Sequence, residues 1–460
     1  MASKTERIAA FVANAGFDRL PGDIIHETKR ALLDCIGCAM AGISMQAGKI
    51  AAEFAIKLSG PAEASIIGTG KRVASTNAAF ANATLINAQD FDPGSLAHDT
   101  PAVMAGALAS VEAAEASGKD LILAIAIGHE LATRLREAER PGLVTSQEQG
   151  FAFVTPAVAA SCSKLLSLDV GQIRTAIGIA SFIHPPNTVN RYFNTSPIWM
   201  TKYTVFGRIA EAGVTAALLA QMGFTADREA LDGERCFWKT GDESNWDAES
   251  VSAGLGEIWR HRISYKVYPS NLPTAGAKDC FIQILEENSI QPEEIEKVTV
   301  RIAPVWQYRS MHDNRLRTEQ DFIFNVRYQL SCAAHRIKPT RWLDAEVRQD
   351  PRLRAFMARV PFDIGCDEEA FVRAREKDPG ANLMSAEIVA RGKTFRKQTV
   401  YHRGLNREGY RLTDEELVAK FNDNVSKVLT VEVARRAVSA IFEVEKLAKM
   451  SELTGILVPR

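Results

Sequence analysis

The chain reads as a mainly helical protein with a smaller α/β module set into it, and three observations predict this. From Thr5 to about Ala230, apolar residues recur every three or four positions and alanine is frequent enough for close helix packing. After about Arg262 the period changes: Lys297-Val298-Thr299-Val300-Arg301-Ile302 alternates in the manner of a half-buried strand. A capping-box pattern at Thr413-Asp414-Glu415-Glu416 then opens a second helical stretch, which reads as returning to the first. The predicted organisation is a large helical domain from residues 1–262 and 403–460, and a smaller α/β domain at 263–402.

In chain order, the spacing predicts helices over Pro21–Ile43 and over Lys119–Glu137, where Leu121, Ile125, Leu131 and Leu135 share a face. Leu168-Asp169 opens a helix over Val170–Ala180, and Lys202–Met222 is a long alanine-rich one. In the second module Gly276–Asn288 and Val326–His335 are helical, and a charged stretch runs over Arg348–Arg359. Ala386–Ala390 and Thr394–Val400 form a hairpin turning at Arg391-Gly392-Lys393. Leu417, Phe421, Val425 and Val428 line one face of the last helical region.

Composition narrows the function classes. Lys plus Arg number 55 against 56 Asp plus Glu in 460 residues, so no global field draws nucleic acid or an acidic membrane. No apolar run approaches the roughly 20 residues of a membrane span, and no basic-then-apolar leader opens the chain, so a cytoplasmic protein is expected. Seven scattered cysteines do not suggest a disulfide framework; Cys35 and Cys38 form a CxxC inside a helical pattern and read as core thiols. The eight histidines show no HExxH or HxH spacing, so no metal site is indicated. There is no GxGxxG after a strand and no GxSxG; Gly68-Thr69-Gly70-Lys71 lacks the spacing of a phosphate loop.

One stretch concentrates polar groups. Gln89-Asp90-Phe91-Asp92-Pro93-Gly94-Ser95-Leu96-Ala97-His98-Asp99-Thr100-Pro101 puts three carboxylates and a histidine between two alanine-rich helices. Such a loop is either a solvated connection, with Thr100 as N-cap and Pro101 at the first helical position, or a segment that aims side chains into a site. Other positions stand out with the same ambiguity. Lys202 heads a helix beside Trp199 and Tyr203, and Lys266 lies in Tyr265-Lys266-Val267-Tyr268-Pro269 where the texture changes. His184 and Arg191 fall in a polar break, the latter with a guanidinium suited to a carboxylate. Tyr328 is either a packed aromatic or a proton donor.

Together these segments resemble the MmgE/PrpD family. Asp90-Phe91-Asp92 and His98 match its aspartate run and following histidine. Lys202, with Gly207, Ala210 and Gly213, is similar to its helix-start lysine; Lys266 with Tyr268-Pro269 is similar to its second lysine; Tyr328 after Phe324-Asn325 is similar to its tyrosine. The resemblance implies a large helical domain with an α/β lid, a site in the cleft between them, a homodimer, and no cofactor. Three departures are visible. Pro93-Gly94-Ser95 replaces a stretch with a threonine, Gly150-Phe151-Ala152-Phe153 lacks a histidine, and Asn271 stands where a histidine is common.

Family activities include 2-methylcitrate dehydration, cis-aconitate decarboxylation and iminodisuccinate epimerisation, all with a carbanion-like centre beside a carboxylate. The resemblance thus implies a small di- or tricarboxylate substrate. Asp90, His98, Lys202, Lys266 and Tyr328 would form the catalytic set, and Asp92, Ser95, Arg191 and Asn271 would assist binding. In this reading His98 would move the proton, oriented or tuned by Asp90, with Tyr328 as a second acid or hydrogen-bond donor and the lysines neutralising carboxylates. Fewer imidazoles leave fewer groups titrating near neutrality. That places dehydration first, epimerisation close behind and cis-aconitate decarboxylation last, with a non-catalytic carboxylate-binding dimer as the alternative of another class.

Overall fold

A computed structural model describes residues 2–94, 98–138, 151, 153–185, 195–233, 236–237, 247, 249–302, 311, 313, 315–378 and 380–458. The helices of the first part are α1 (Lys4–Asn14), α2 (Gly22–Gly42), α3 (Gln46–Leu58), α4 (Ser75–Asn87), α5 (Thr100–Ala113), α6 (Gly118–Ala138), α7 (Val154–Leu165), α8 (Val170–Ile183) and α9 (Thr201–Gln221). Between α3 and α4 lies a hairpin of β1 (Ala64–Ile66) and β2 (Lys71–Val73) that the helical reading of this region did not anticipate. Its turn is the Gly68-Thr69-Gly70 segment; both glycines adopt positive φ, which explains their presence there without any phosphate.

The later part contains α10 (Ala275–Glu287), β3 (Ile295–Arg301), α11 (Glu319–Phe324), α12 (Val326–Ala334), α13 (Ala345–Arg348), α14 (Pro351–Arg359), β4 (Phe362–Gly365), α15 (Glu368–Lys377), β5 (Met384–Ala390) and β6 (Lys393–Thr399). The sheet order is β4-β3-β5-β6, parallel between β3 and β4 and antiparallel elsewhere. The β5–β6 hairpin turns at Arg391-Gly392, both at positive φ. α10 packs across β5 and β6. The chain ends with α16 (Asp414–Val425), α17 (Val431–Phe442) and α18 (Ser451–Ile456). The Thr413–Glu416 capping box opens α16: each side chain bonds the other residue's backbone N–H.

Two hydrophobic clusters form. One joins Ile8, Leu32, Leu85, Val103, Ile125, Val158 and Ile209 with Leu417, Phe421 and Ile441, so the C-terminal helices pack with the N-terminal ones. The other gathers Tyr268, Phe281, Val298, Val300, Tyr328, Trp342, Met384 and Ile388 around the four-stranded sheet, and takes in Ala88, Ile198 and Tyr203 from the helical part. Phe421 and Val425, expected on the buried face of the last region, are fully buried. The architecture is mainly α with a smaller α/β part. Among the described residues no single helix is long and apolar enough to cross a membrane.

α9 approaches α4 closely. A Cβ at Gly207 would stand 2.7 Å from Thr84 Oγ1 and 2.9 Å from the Phe80 carbonyl oxygen, both on α4. Only hydrogen fits between the helices at this point.

Candidate active site

α4 ends at Asn87, and the chain turns at once: Asp90 N–H donates to the Asn87 carbonyl at 2.8 Å, and Asp90 itself has φ 53°. A left-handed aspartate is uncommon, and held strain of this kind concentrates at functional positions. The turn drives the Asp90 carboxylate into the protein, where it is 2% exposed. Lys202, in the first turn of α9, donates to Asp90 Oδ2. Lys266 Nζ donates to Asp90 Oδ1 at 2.6 Å and to its carbonyl at 2.8 Å. Lys266 reaches there because Ser264, two residues earlier, exchanges backbone hydrogen bonds of 2.9 Å with Gly94, pinning the loop to the segment that enters the α/β part. Lys202 Nζ also lies 5.4 Å from the centre of the Phe324 ring, a residue of the second core. Asp90, Lys202 and Lys266, all three expected in the site, therefore meet where the two cores meet.

Burial alone would push the Asp90 carboxyl up, but the two ammonium groups together outweigh it and hold the carboxyl well below its usual range. The lysines differ. Burial dominates at Lys202 and lowers its pKa despite Asp90. At Lys266 burial is outweighed by Asp90 together with Asp92, and its pKa rises. One lysine thus remains a fixed cation while the other gives up its proton more readily than an ordinary lysine.

His98 also sits at positive φ, 49°. Its ring packs 4.6 Å from that of Phe206 and 5.3 Å from that of Phe151. Phe206 stands one helical turn after Lys202 on α9, so the same face of that helix carries the lysine to Asp90 and the aromatic wall to His98. Burial is the largest influence on His98; Asp92 opposes it, the two lysines reinforce it, and the pKa falls to about 4. The imidazole is accordingly neutral at pH 7.

The structure corrects three expectations. The carboxylate nearest His98 is Asp92, 3.7 Å from Nδ1, rather than Asp90, both of whose oxygens are taken by lysines. Asp92 is fully buried and is oriented by Asn87, whose Nδ2 donates to its Oδ1 at 2.8 Å. Tyr328 is not brought to the cluster as a second acid. It belongs to the core of the α/β part, its hydroxyl proton goes to the Trp342 carbonyl, and burial pushes the phenol well up. Thr100 is not the N-cap of α5: Asp99 is, and its carboxylate does not cap the helix but lies 2.5 Å from His129 Nδ1, with both residues buried.

Asn271 is buried and holds a turn: the Thr274 hydroxyl lies 3.0 Å from its carbonyl and 3.2 Å from its Oδ1. Ser95 and Arg191 lie outside the described residues. Residue-type reasoning missed Asn87, Asp99 and His129. It also missed Lys278, which is fully buried with Nζ 2.5 Å from Ser270 Oγ, 2.8 Å from Thr274 Oγ1 and 2.9 Å from Gln329 Oε1. Through Ser270 and Thr274 that lysine supports the turn following Lys266. Its position, four residues after Thr274 on a helix, is the one signal that links it to that turn. Among the described residues no group of His, Cys, Asp and Glu has the arrangement to hold a metal ion. The cysteines are free, and all but Cys366 are buried.

Comparison with known proteins gives the family of the chain. The MmgE/PrpD N-terminal domain matches residues 6–246 and the MmgE/PrpD C-terminal domain matches residues 268–444. Cis-aconitate decarboxylase from Homo sapiens is 24% identical over 482 residues, covering 99% of this chain and 94% of the relative. The Mus musculus protein of the same name is 24% identical over 488 residues, with 99% and 93% covered. That of Aspergillus terreus is 27% identical over 281 residues, covering 57% of this chain and 56% of the relative. The two domain matches together span most of the sequence, and the chain belongs to the MmgE/PrpD family.

Proposed function

We propose that the protein is a cofactor-independent lyase acting on a small di- or tricarboxylic acid, with His98 taking a proton from the carbon beside a carboxylate. The observation that carries this is the neutral His98 beside Asp92, on the same loop as an Asp90 carboxylate clamped by two buried lysines. Anionic substrate groups suit a place where ammonium groups are already held in a water-poor setting. Lys266 serves as the lasting cation, stabilising negative charge that develops on a carboxylate as the C–H bond breaks. Lys202, the readier proton donor, protonates the hydroxyl group leaving the neighbouring carbon. Water and an alkene result, and the proton gained by His98 balances the one that Lys202 gives up.

A neutral imidazole supports abstraction as the first step and thus dehydration. Decarboxylation is the second reading, favoured by the activity named for the relatives. There the bond to carbon dioxide breaks first, and Lys202 protonates the carbanion.

Proton NMR of purified protein with citrate, 2-methylcitrate and cis-aconitate in deuterium oxide separates the readings. A new alkene with no loss of carbon indicates dehydration, and loss of one carboxyl indicates decarboxylation. Deuterated, inverted substrate recovered from a chiral dicarboxylate indicates epimerisation. Stabilisation by these acids with no consumption of any would refute the lyase reading.

A further inference from the structure

The loop that carries Asp90 and Asp92 rests on a buried ion pair supplied by the two ends of the chain. Asp34 comes from the middle of α2 and is fully buried; Lys420 comes from α16 and is 7% exposed. Lys420 Nζ lies 2.8 and 2.9 Å from the two Asp34 carboxylate oxygens. The same ammonium donates to the Phe91 carbonyl at 2.8 Å and stands 3.9 Å from the centre of the Phe91 ring.

Phe91 separates Asp90 from Asp92, so its peptide decides where both carboxylates point. Lys266 holds the carbonyl of residue 90 and Lys420 that of residue 91. Two consecutive carbonyls of a left-handed turn are thereby fixed by cations from separate parts of the chain. A buried lysine and aspartate give little net stability when apolar residues of similar volume would also fit, so the pair points to a role other than packing. Lys420 has three kinds of partner here: a carboxylate, a carbonyl and an aromatic face. The carboxylate is that of Asp34, and the other two both belong to Phe91.

We propose that Lys420 and Asp34 are positioning residues: they lock Phe91, and through it set Asp90 against the two lysines and Asp92 against His98. This deepens the lyase reading and rests on it for its catalytic consequence, but its structural half is independent. Helix α16 is then a working part of the site although none of its residues enters it.

The test uses the full chain with Asp34→Asn and Lys420→Met combined, which removes both charges and leaves no buried ion unpaired. Hydrogen–deuterium exchange of residues 88–94 should quicken by about fivefold or more while α4 and α5 keep their protection. Turnover of the acid that the wild type consumes should fall about 10- to 100-fold, with KM changed by less than about threefold. Unchanged exchange in 88–94 overturns the anchor whether or not a substrate has been found. Quickened exchange with turnover within about twofold of wild type overturns the positioning role. A wild type inert toward every polycarboxylate defeats the lyase reading alone, and the exchange result still decides the anchor. If the double variant does not fold, Asp34→Asn alone, which leaves Lys420 without its charge partner, must show the same local loosening, and its absence overturns the proposal.

Discussion

His129 Nδ1, on α6, lies 2.5 Å from Oδ2 of Asp99, which stands at the foot of α5 directly after His98, and both side chains are buried. The bond ties the far end of the Asp90–Asp99 loop to α6, as Lys266 ties the near end to the α/β part. His129→Leu takes this partner from the buried Asp99 carboxylate. It should cost about 2–3 kcal/mol of stability in urea or thermal unfolding. A variant as stable as wild type would show that Asp99 is held by other means.

His98→Gln removes the proton acceptor while keeping a polar side chain of similar reach. Turnover should drop about 10²- to 10⁴-fold with the melting temperature nearly unchanged. Because burial holds the imidazole at about 4, its neutral form persists well below pH 6. The acid limb of kcat/KM should therefore fall towards pH 4, not near the ordinary histidine value of about 6.5. A limb near 6.5 would remove His98 as the base.

Tyr328→Phe tests the reassignment of that phenol. Its proton is committed to the Trp342 carbonyl, so the variant should keep turnover within a few-fold and lose about 1 kcal/mol of stability. A loss of several orders of magnitude in turnover, with the fold intact, would restore Tyr328 to the chemistry.

Acid should destabilise the protein over a definable window. Burial lowers His261 to about 3 and His98 to about 4, both below the unfolded value of about 6.5. Between those values and 6.5 the unfolded chain binds the protons that the folded chain refuses. Stability thus falls as pH drops below about 6.5, at up to about 1.4 kcal/mol per pH unit for each histidine, and neither residue contributes a slope above it. Urea titrations at several pH values between about 7.5 and 5 read the slope directly. His261→Phe should remove one histidine's share of it; an identical slope in that variant contradicts the assignment.

Legibility in the sequence followed the range of the interactions involved. The helical periodicity of Lys202–Met222 and the Thr413–Glu416 capping box are local, and both appear where the spacing put them. Asp90, Lys202 and Lys266 were accessible through residue type and resemblance. Lys278 and Lys420 were not, because a lysine on an amphipathic helix reads as a solvated one; burial depends on partners that fold back from far along the chain. The Asp34–Lys420 contact spans 386 positions. Tyr328 misled for a similar reason: its acceptor is a main-chain carbonyl, which no side-chain motif reveals. The Gly68–Lys71 hairpin was missed because strands of three residues carry too few alternations to register.

Glycine at position 207 bears on reactivity as well as on packing. Lys202 and Gly207 are five residues apart on one helix, about 7.5 Å along its axis. Asp90 comes soon after the end of α4, the helix that Gly207 touches. α4 and α9 therefore act as the two jaws of a caliper whose opening is set by a missing methyl group, and what the caliper measures is the gap between an ammonium and a carboxylate. Any side chain at 207 widens that gap from a place remote from the polar cluster. A substitution at this apolar, inert position should therefore act on chemistry taking place more than a helical turn away.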